Sequence, residues 1–409
     1  MISFEDALSR LLDAARPLGA ERVPLDHADG RVLAEDLIAR EPLPGFDYSS
    51  MDGYAVSTAD LTGPAPFTLP VRGESAAGGP TPPLHRGAAC RIFTGARLPD
   101  GADAVIPQED VERTADTITL RDAPKPGAWL RRRGEDLQAD AVALARGARL
   151  TPGRVALAAA LDRPQLLVAR RPAVTILCSG DELRSPGTPG RPGSIPESNG
   201  YFVAAAARAA AAIVRVAPFV PDDPEAAAAA AAEALRGADL VVTIGGVSVG
   251  DHDIIRPALE AAGVTLDFWR VAIKPGKPLC VGRAPSPSRA LLDAPVHVLG
   301  LPGNPASASL TFTLFGLPLL RALQGDAAPL PPRLTVRVAG SLRRKPGRAE
   351  FLRACLDIHA GELVARILPN QASGAVTSFA EADALLVVPA ERDRVDDGDR
   401  LQAIRLRDA

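Results

Sequence analysis

The chain has little from which to build a disulfide framework or a soft-metal site. Its 409 residues include four cysteines, Cys90, Cys178, Cys280 and Cys355, each standing alone, and five histidines without ligand spacing. No Cys-x-x-Cys pair or Cys/His cluster suggests zinc, and isolated thiols point to a reducing, cytoplasmic setting. Aromatic residues make up only 4% of the chain, and alanine supplies much of its apolar content. Positive charge is not in excess: the net charge is −3, which argues against a nucleic-acid binder or a protein of anionic membrane surfaces. No apolar run reaches the ~18 residues of a membrane-spanning helix. The start, Met1-Ile-Ser-Phe-Glu-Asp, is too polar and acidic for a signal peptide. Also missing are a GxGxxG fingerprint, the Gly-Lys-Ser/Thr of a Walker loop, and any Ser/His/Asp or Cys/His nucleophile arrangement.

What is present implies two to four domains on length alone. Ser3 can cap a helix that carries Phe4, Leu8, Leu11, Leu12 and Ala15 at helical spacing. A short helix around residues 30–34 and an extended 36–42 follow. This region is too small for its own core and is expected to pack on a later segment. Beyond Pro42, short apolar runs at 53–56, 67–71, 89–93, 104–107 and 117–120 alternate with Gly- and Pro-rich turns, predicting a β domain that ends near 129–136. Residues 147–163, with Thr151 as N-cap and Pro152 at N1, read as a helix. Its return toward the N-terminal helices would make 1–45 and 137–169 a discontinuous helical domain and would make the β domain, 46–136, an insertion.

Residues 170–326 alternate between strand and helix. Strands are expected at 173–178, 213–220, 239–244, 264–272 and 297–301, and helices at 199–212, 224–236, 254–262 and 306–323. The alternation predicts an α/β domain, a parallel sheet with helices on both faces. Ligands of such sheets sit beyond the carboxyl ends of the strands, here the loops 179–182, 221–223, 245–253 and 301–305. After the stiff linker Pro329-Leu-Pro-Pro332, strands at 334–338, 350–356, 362–367 and 384–389 make 327–409 a C-terminal β domain, a small barrel or sandwich. Its first part is basic, with Glu350 as the one acid among Arg333, Arg337, Arg343, Arg344, Lys345, Arg348 and Arg353.

The stretch 238–278 carries the densest chemistry. A buried strand breaks into Gly245-Gly-Val-Ser-Val-Gly250, whose glycines let backbone N–H groups approach an anion. Taken alone, it reads equally as a tight structural turn. Asp251, His252 and Asp253 follow; acids at a helix start are ordinary caps, but beside a phosphate loop they can hold Mg²⁺, which prefers carboxylate and phosphate oxygens. Asp181 and Glu182 fall on the same predicted sheet edge. Lys274-Pro-Gly-Lys277-Pro278 sets two ammonium groups on a proline-stiffened loop, with Arg270 just before it. Such lysines are either solvated or directed at a ligand. Gly300-Leu-Pro-Gly-Asn-Pro305 fixes an unusual turn ahead of a helix N-terminus, and Phe46-Asp-Tyr-Ser-Ser-Met-Asp-Gly-Tyr-Ala-Val56 crowds polar and aromatic side chains at the mouth of the β domain.

Together with Arg91-Ile-Phe-Thr-Gly-Ala96, Gly134-Glu-Asp136, Ser179-Gly-Asp-Glu-Leu183, Glu197-Ser-Asn199 and Ile273-Lys-Pro-Gly-Lys-Pro278, these stretches keep the order seen in one family. The chain resembles the molybdopterin molybdenumtransferases, a family that includes the C-terminal part of the receptor-clustering protein gephyrin. The resemblance implies a four-part architecture: an elongated helical domain, an inserted β lid, an α/β domain that holds the pterin, and a C-terminal β domain. It also implies a homodimer with active sites between subunits, and insertion of molybdenum from molybdate into adenylylated molybdopterin with Mg²⁺-dependent release of AMP. By motif match it implies catalytic roles for Asp52, Thr94, Asp136, Glu182 and Asp253, with Glu182 and Asp253 as Mg²⁺ ligands. Substrate would be bound by Asp222, Gly245, Gly246, Ser248, Arg270, Lys274, Lys277, Gly303, Asn304, Ser307, Arg353 and Ser373. The cations Lys274 and Lys277, with Ser307, Arg353 and Ser373, would hold the oxyanion. Molybdopterin adenylyltransferase and cofactor-accepting enzymes are the implied partners. Tyr48 and Ser50 replace the family's usual asparagine and alanine, Arg270 stands where lysine is often found, and 283–294 is a Pro/Ser/Arg-rich extension. A non-catalytic scaffold of the same fold and a molybdopterin adenylyltransferase are the alternatives; the retained charged groups disfavour the first, and the lid and C-terminal domain disfavour the second.

Overall fold

The short apolar runs become strands, and the structure, a computed structural model, pairs most of them in three six-stranded sheets. It describes residues 1–246, 254–285 and 295–407. The chain divides into two units, residues 36–145 with 152–164, and residues 1–35, 146–151 and 165–409.

In the first unit, six strands pair in the order Ala104–Pro107, Gly53–Val56, Ala89–Ile92, Phe67–Ser75, Thr117–Leu120, Val111–Thr114. Pairing is antiparallel except between Phe67–Ser75 and Ala89–Ile92. Alternation along Gly53–Val56 sends Tyr54 and Val56 into one core with Leu69, Ile106 and Ile118, and Ala55 into another with Cys90, Ile92 and Val105. Gly53 is required here, since a Cβ on it would lie 1.9 Å from the Ile106 carbonyl oxygen.

The second unit is built on a six-stranded sheet ordered Ile213–Val216, Ala173–Cys178, Leu240–Ile244, Val296–Leu301, Pro278–Ala284, Thr265–Arg270. Ile176, Val242 and Leu299 face one core and Leu177, Val241 and Val298 the other. The C-terminal strands Ala349–His359, Glu362–Ile367, Arg333–Ala339, Arg400–Arg405 and Ala384–Val388 pair in that order. The last also pairs with the first, closing a barrel, which removes the exposed edges an open sheet would leave. Ile273–Lys274, from the α/β part, adds to this barrel in parallel beside Ala349 and Glu350.

Several expectations are corrected. The sheet is mixed rather than parallel: its first four strands are parallel, but Pro278–Ala284, unforeseen, runs antiparallel to both neighbours. The Lys-Pro-Gly-Lys-Pro loop turns the chain back, so no crossover helix is needed. Residues 30–34 are not a helix; Val32 and Leu33 are buried and bridge Arg149 and Val168. The helix expected at 147–163 is confined to Pro152–Ala160. The strand expected at 213–220 ends at Val216, and Val220 bridges Ser179.

The helices Pro305–Thr311 and Leu317–Leu323 are joined by a π turn at Phe312–Gly316, where a Cβ on Gly316 would fall 2.3 Å from the Phe312 ring. These 19 residues are long and apolar enough to cross a membrane, contrary to the sequence reading, but 89% of the apolar window is buried inside the protein. The N-terminal helix Phe4–Asp13, capped by Ser3 Oγ accepting from Asp6 N at 3.0 Å, packs as expected on later segments. The Phe4 ring lies 5.5 Å from Phe315 and 5.1 Å from Phe351.

Candidate functional site

Three of the sequence motifs converge within the first unit. Ser49 N donates to Ala96 O at 3.0 Å and Gly95 N to Ser49 O at 2.8 Å, while Tyr48–Ser49 pairs with Leu130–Arg131. This frame sets Asp52 against Thr94, whose backbone N–H and hydroxyl both donate to Asp52 Oδ1 at 2.7 Å. The two bonds, the backbone one foremost, hold the Asp52 carboxyl below the usual carboxylate range. Asp136 pairs with Arg131, and its charge is the leading cause that raises the pKa of that guanidinium. Asp47 is held low chiefly by the Arg133 N–H at 2.7 Å, and Arg132 Nη1 donates to it at 2.9 Å. The Arg91 guanidinium stacks 4.6 Å from the Phe93 ring centroid. Three carboxylates of these motifs, Asp47, Asp52 and Asp136, are thus each ordered by a hydrogen bond or an ion pair.

In the second unit, a cavity of about 570 Å³ opens at the carboxyl ends of the parallel strands. Its lining includes Glu182, Asp222, Gly245, Gly246, Gly303 and Asn304, so the expected loops do converge. Gly245 and Gly246 adopt φ of +83° and +61°. A Cβ on Gly245 would meet the Ser179 carbonyl oxygen at 2.8 Å, and one on Gly246 would meet Ile255 Cγ1 at 2.4 Å. The glycines are demanded by both backbone and packing. Asp222 N donates to Asp181 Oδ1 at 3.2 Å and Asn199 Nδ2 to Gly303 O at 2.7 Å, tying the rim together. Glu182 and Asp222 are exposed and make no ion pair among the described residues. Ser248, Asp251, His252 and Asp253 lie outside the described residues.

A second group surrounds the first turn of the Pro305–Thr311 helix. Ala306 N donates to Ser373 O at 2.9 Å, one residue before the buried Ser307. Arg353, fully buried, donates to Asn370 O at 3.3 Å, Ala372 O at 2.9 Å and Ser378 Oγ at 3.2 Å. Burial lowers its pKa, opposed by Glu350. Its visible work is to shape the loop that carries Ser373. On the opposite side, a Cβ on Gly276 would lie 2.6 Å from Thr311 Cγ2 and 3.7 Å from Ser307 O, so the lysine loop rests on the same helix. Lys274 Nζ is 2.8 Å from Glu350 Oε1. Lys277 and Arg270 are exposed, without an ion pair among the described residues. Pro278 lines the cavity, so the lysine loop adjoins it.

Three family models match the chain in sequence. They are the MoeA N-terminal region (domain I and II) over residues 2–161, the probable molybdopterin binding domain over 175–322, and the MoeA C-terminal region (domain IV) over 335–406. A molybdopterin molybdenumtransferase of Haemophilus influenzae is 36% identical over 404 residues, 98% of this chain and 97% of that protein. The chain belongs to the molybdopterin molybdenumtransferase family. A second relative, molybdopterin molybdenumtransferase 2 of Mycobacterium tuberculosis, is 37% identical over 404 residues, 97% of this chain and 96% of that one. The solved molybdopterin biosynthesis moeA protein of Pyrococcus horikoshii OT3 superposes with a TM-score of 0.82 at 28% identity, covering 99% of this chain and 100% of that chain.

Within this family fold, sequence reasoning left several cavity residues unassigned. Glu197 lines the cavity and accepts from Gly200 N at 2.6 Å. Cys178 lies beside it, and burial first, then the Glu197 charge, pushes its thiol up to about 12. Glu197 stood inside a quoted motif, which was the signal available. Glu350 was visible only as a lone acid in a basic stretch.

Proposed function

We propose that this chain inserts molybdenum from molybdate into adenylylated molybdopterin with release of AMP, the last step of molybdenum-cofactor biosynthesis. The observation that carries the reading is the match, along nearly the whole chain, to relatives named molybdopterin molybdenumtransferase. The site has suitable chemistry. The cavity offers glycine backbone and carboxylates to a phosphorylated pterin, and the adjoining loop offers Lys274 and Lys277 to an oxyanion. An oxyanion leaving water needs charge-assisted donors of this kind.

Mg²⁺ is part of the proposal. Among the described residues no group of three or more His, Cys, Asp or Glu could hold a metal. Glu182 and Asp222, which line one cavity, offer the hard oxygen donors that Mg²⁺ takes, with substrate phosphate and water completing its shell. Glu182 would hold the ion, with Asp253 from outside the described residues. A bound Mg²⁺ would neutralise charge developing on the phosphates as AMP leaves. Asp52, Thr94 and Asp136 would act from the lid. The functional modules would be residues 1–45 with 137–169, 46–136, 170–326 and 327–409. We further propose a cytoplasmic homodimer with active sites between subunits, which receives substrate from molybdopterin adenylyltransferase and delivers cofactor to accepting enzymes.

The test combines purified protein, adenylylated molybdopterin, Mg²⁺ and molybdate. AMP release is expected to require molybdate and to fall by roughly 10²-fold or more in Glu182→Gln, as for loss of a group that stabilises transition-state charge. Absence of molybdate-dependent AMP release in the native protein would sink the reading.

A further inference from the structure

Glu350 has a place in the lysine site that its position in the C-terminal barrel does not advertise. It is 3% exposed, and its two carboxylate oxygens are divided between two cations. Oε1 faces Lys274 Nζ at 2.8 Å, and Oε2 accepts from Arg344 Nε at 2.8 Å. The Arg344 side chain is 1% exposed. Its remaining nitrogens donate to the carbonyl of Pro389 at 2.9 Å and to those of Arg392 and Arg348. Arg344 is thus fixed from all sides and fixes the carboxylate in turn. The backbone repeats the pairing, since Lys274 and Glu350 are direct partners in the parallel bridge between the lysine loop and the barrel.

Lys274 differs from Arg344 in being half in solvent, with its side chain 49% exposed. An ammonium has three donors, and Glu350 is the one partner of Lys274 Nζ among the described residues. Without it, a flexible four-carbon stem would have to be ordered afresh on each binding event, at an entropic cost. We infer that Glu350 is a positioning residue for Lys274: the barrel carboxylate, anchored by Arg344, holds the ammonium where an oxyanion can use its free donors. The inference rests on the reading of Lys274 as an oxyanion ligand.

Two effects of opposite sign compete at Glu350. A carboxylate near an anion site repels the anion, whereas an ordered ammonium attracts it. Arg344 neutralises the carboxylate through direct contact, so the repulsion reaching the oxyanion is small and the ordering of Lys274 dominates. The sign of the change on removing the charge therefore decides between them.

The experiment measures kcat and KM for molybdate, at fixed ionic strength, in the molybdate-dependent release of AMP by the full-length protein. The variants are Glu350→Gln, Lys274→Ala and their combination. A further double variant, Glu350→Gln with Arg344→Met, avoids leaving a buried guanidinium unpaired. Glu350→Gln, alone and together with Arg344→Met, is expected to raise KM for molybdate by about tenfold with kcat changed less than about threefold, the pattern of lost binding. Lys274→Ala should cost about tenfold in the native background but under about twofold once Glu350 is gone, because the two act as one unit. An unchanged or lowered KM in the Glu350 variants, or additive effects, would overturn the inference while leaving the oxyanion reading of Lys274 intact. A KM indifferent to Lys274→Ala itself would overturn both.

Discussion

Asp52 and Thr94 show what a single contact does to a titrating group. The carboxylate belongs to a half-buried residue, and the Thr94 N–H and hydroxyl favour its charged form. Its native pKa therefore lies below the unfolded value of about 3.9, and the sign of the linkage follows. Its contribution to stability is present above the unfolded pKa and is lost as pH falls through the native one. Thr94→Val removes one of the two bonds and keeps the backbone one, so the Asp52 pKa should move part of the way back up. A carboxyl NMR titration of native and variant protein checks this, and an unchanged midpoint would count against it. Arg353 shows what burial adds. The family resemblance implies an anion ligand, and complete burial with bonds from Nε and Nη2 to Asn370, Ala372 and Ser378 also makes it a holder of the loop. Breaking that arrangement by Arg353→Met should destabilise the protein by about 2 kcal/mol or more, because the loop carbonyls lose a buried charged donor; denaturant unfolding measures it.

At the scale of elements, the glycine turn after Leu240–Ile244 is the most constrained. Gly246 combines a φ of +61° with an Ile255 side chain 2.4 Å from where a Cβ would stand. Gly246→Ala should therefore cost more than the ~1 kcal/mol of an ordinary Gly-to-Ala strain and should weaken binding of any phosphorylated ligand in the cavity. Unfolding midpoints and nucleotide-binding titrations report the two effects separately. Much at this scale was legible from pattern alone. The strands Glu362–Ile367 and Ala104–Pro107 end where their apolar runs end, because side-chain alternation is a local property. The antiparallel strand Pro278–Ala284 was not legible. Its apolar run follows a proline loop that reads equally as a connector, and the partner strands that make it part of the sheet are Thr265–Arg270 and Val296–Leu301.

At the scale of the whole molecule, the largest core of the second unit is drawn from distant parts of the chain. Phe4 from the first helix, Phe315 from the π turn and Phe351 from the barrel stack edge to face, and all belong to one cluster of buried residues. Phe4→Ala should cost about 3–5 kcal/mol, the range for emptying a buried aromatic site. The N-terminal helix, the α/β sheet and the barrel should weaken together. Amide exchange read across the three segments tests this; loss confined to the first helix would contradict a shared core.

The sequence by itself determined the order of the motifs, the strand–helix alternation, and the family, because these depend on residue types and their spacing along the chain. It also marked the carboxylates and lysines, since charged groups stand out against apolar runs. Only the tertiary structure decided which of them act on each other. It brought Glu182, Asp222 and the glycine turn onto one cavity, set Asp52 on Thr94, buried Arg353, and gave Lys274 a partner 76 residues away in Glu350. Each of these depends on strand register and on burial, and neither is a property of any short stretch of sequence.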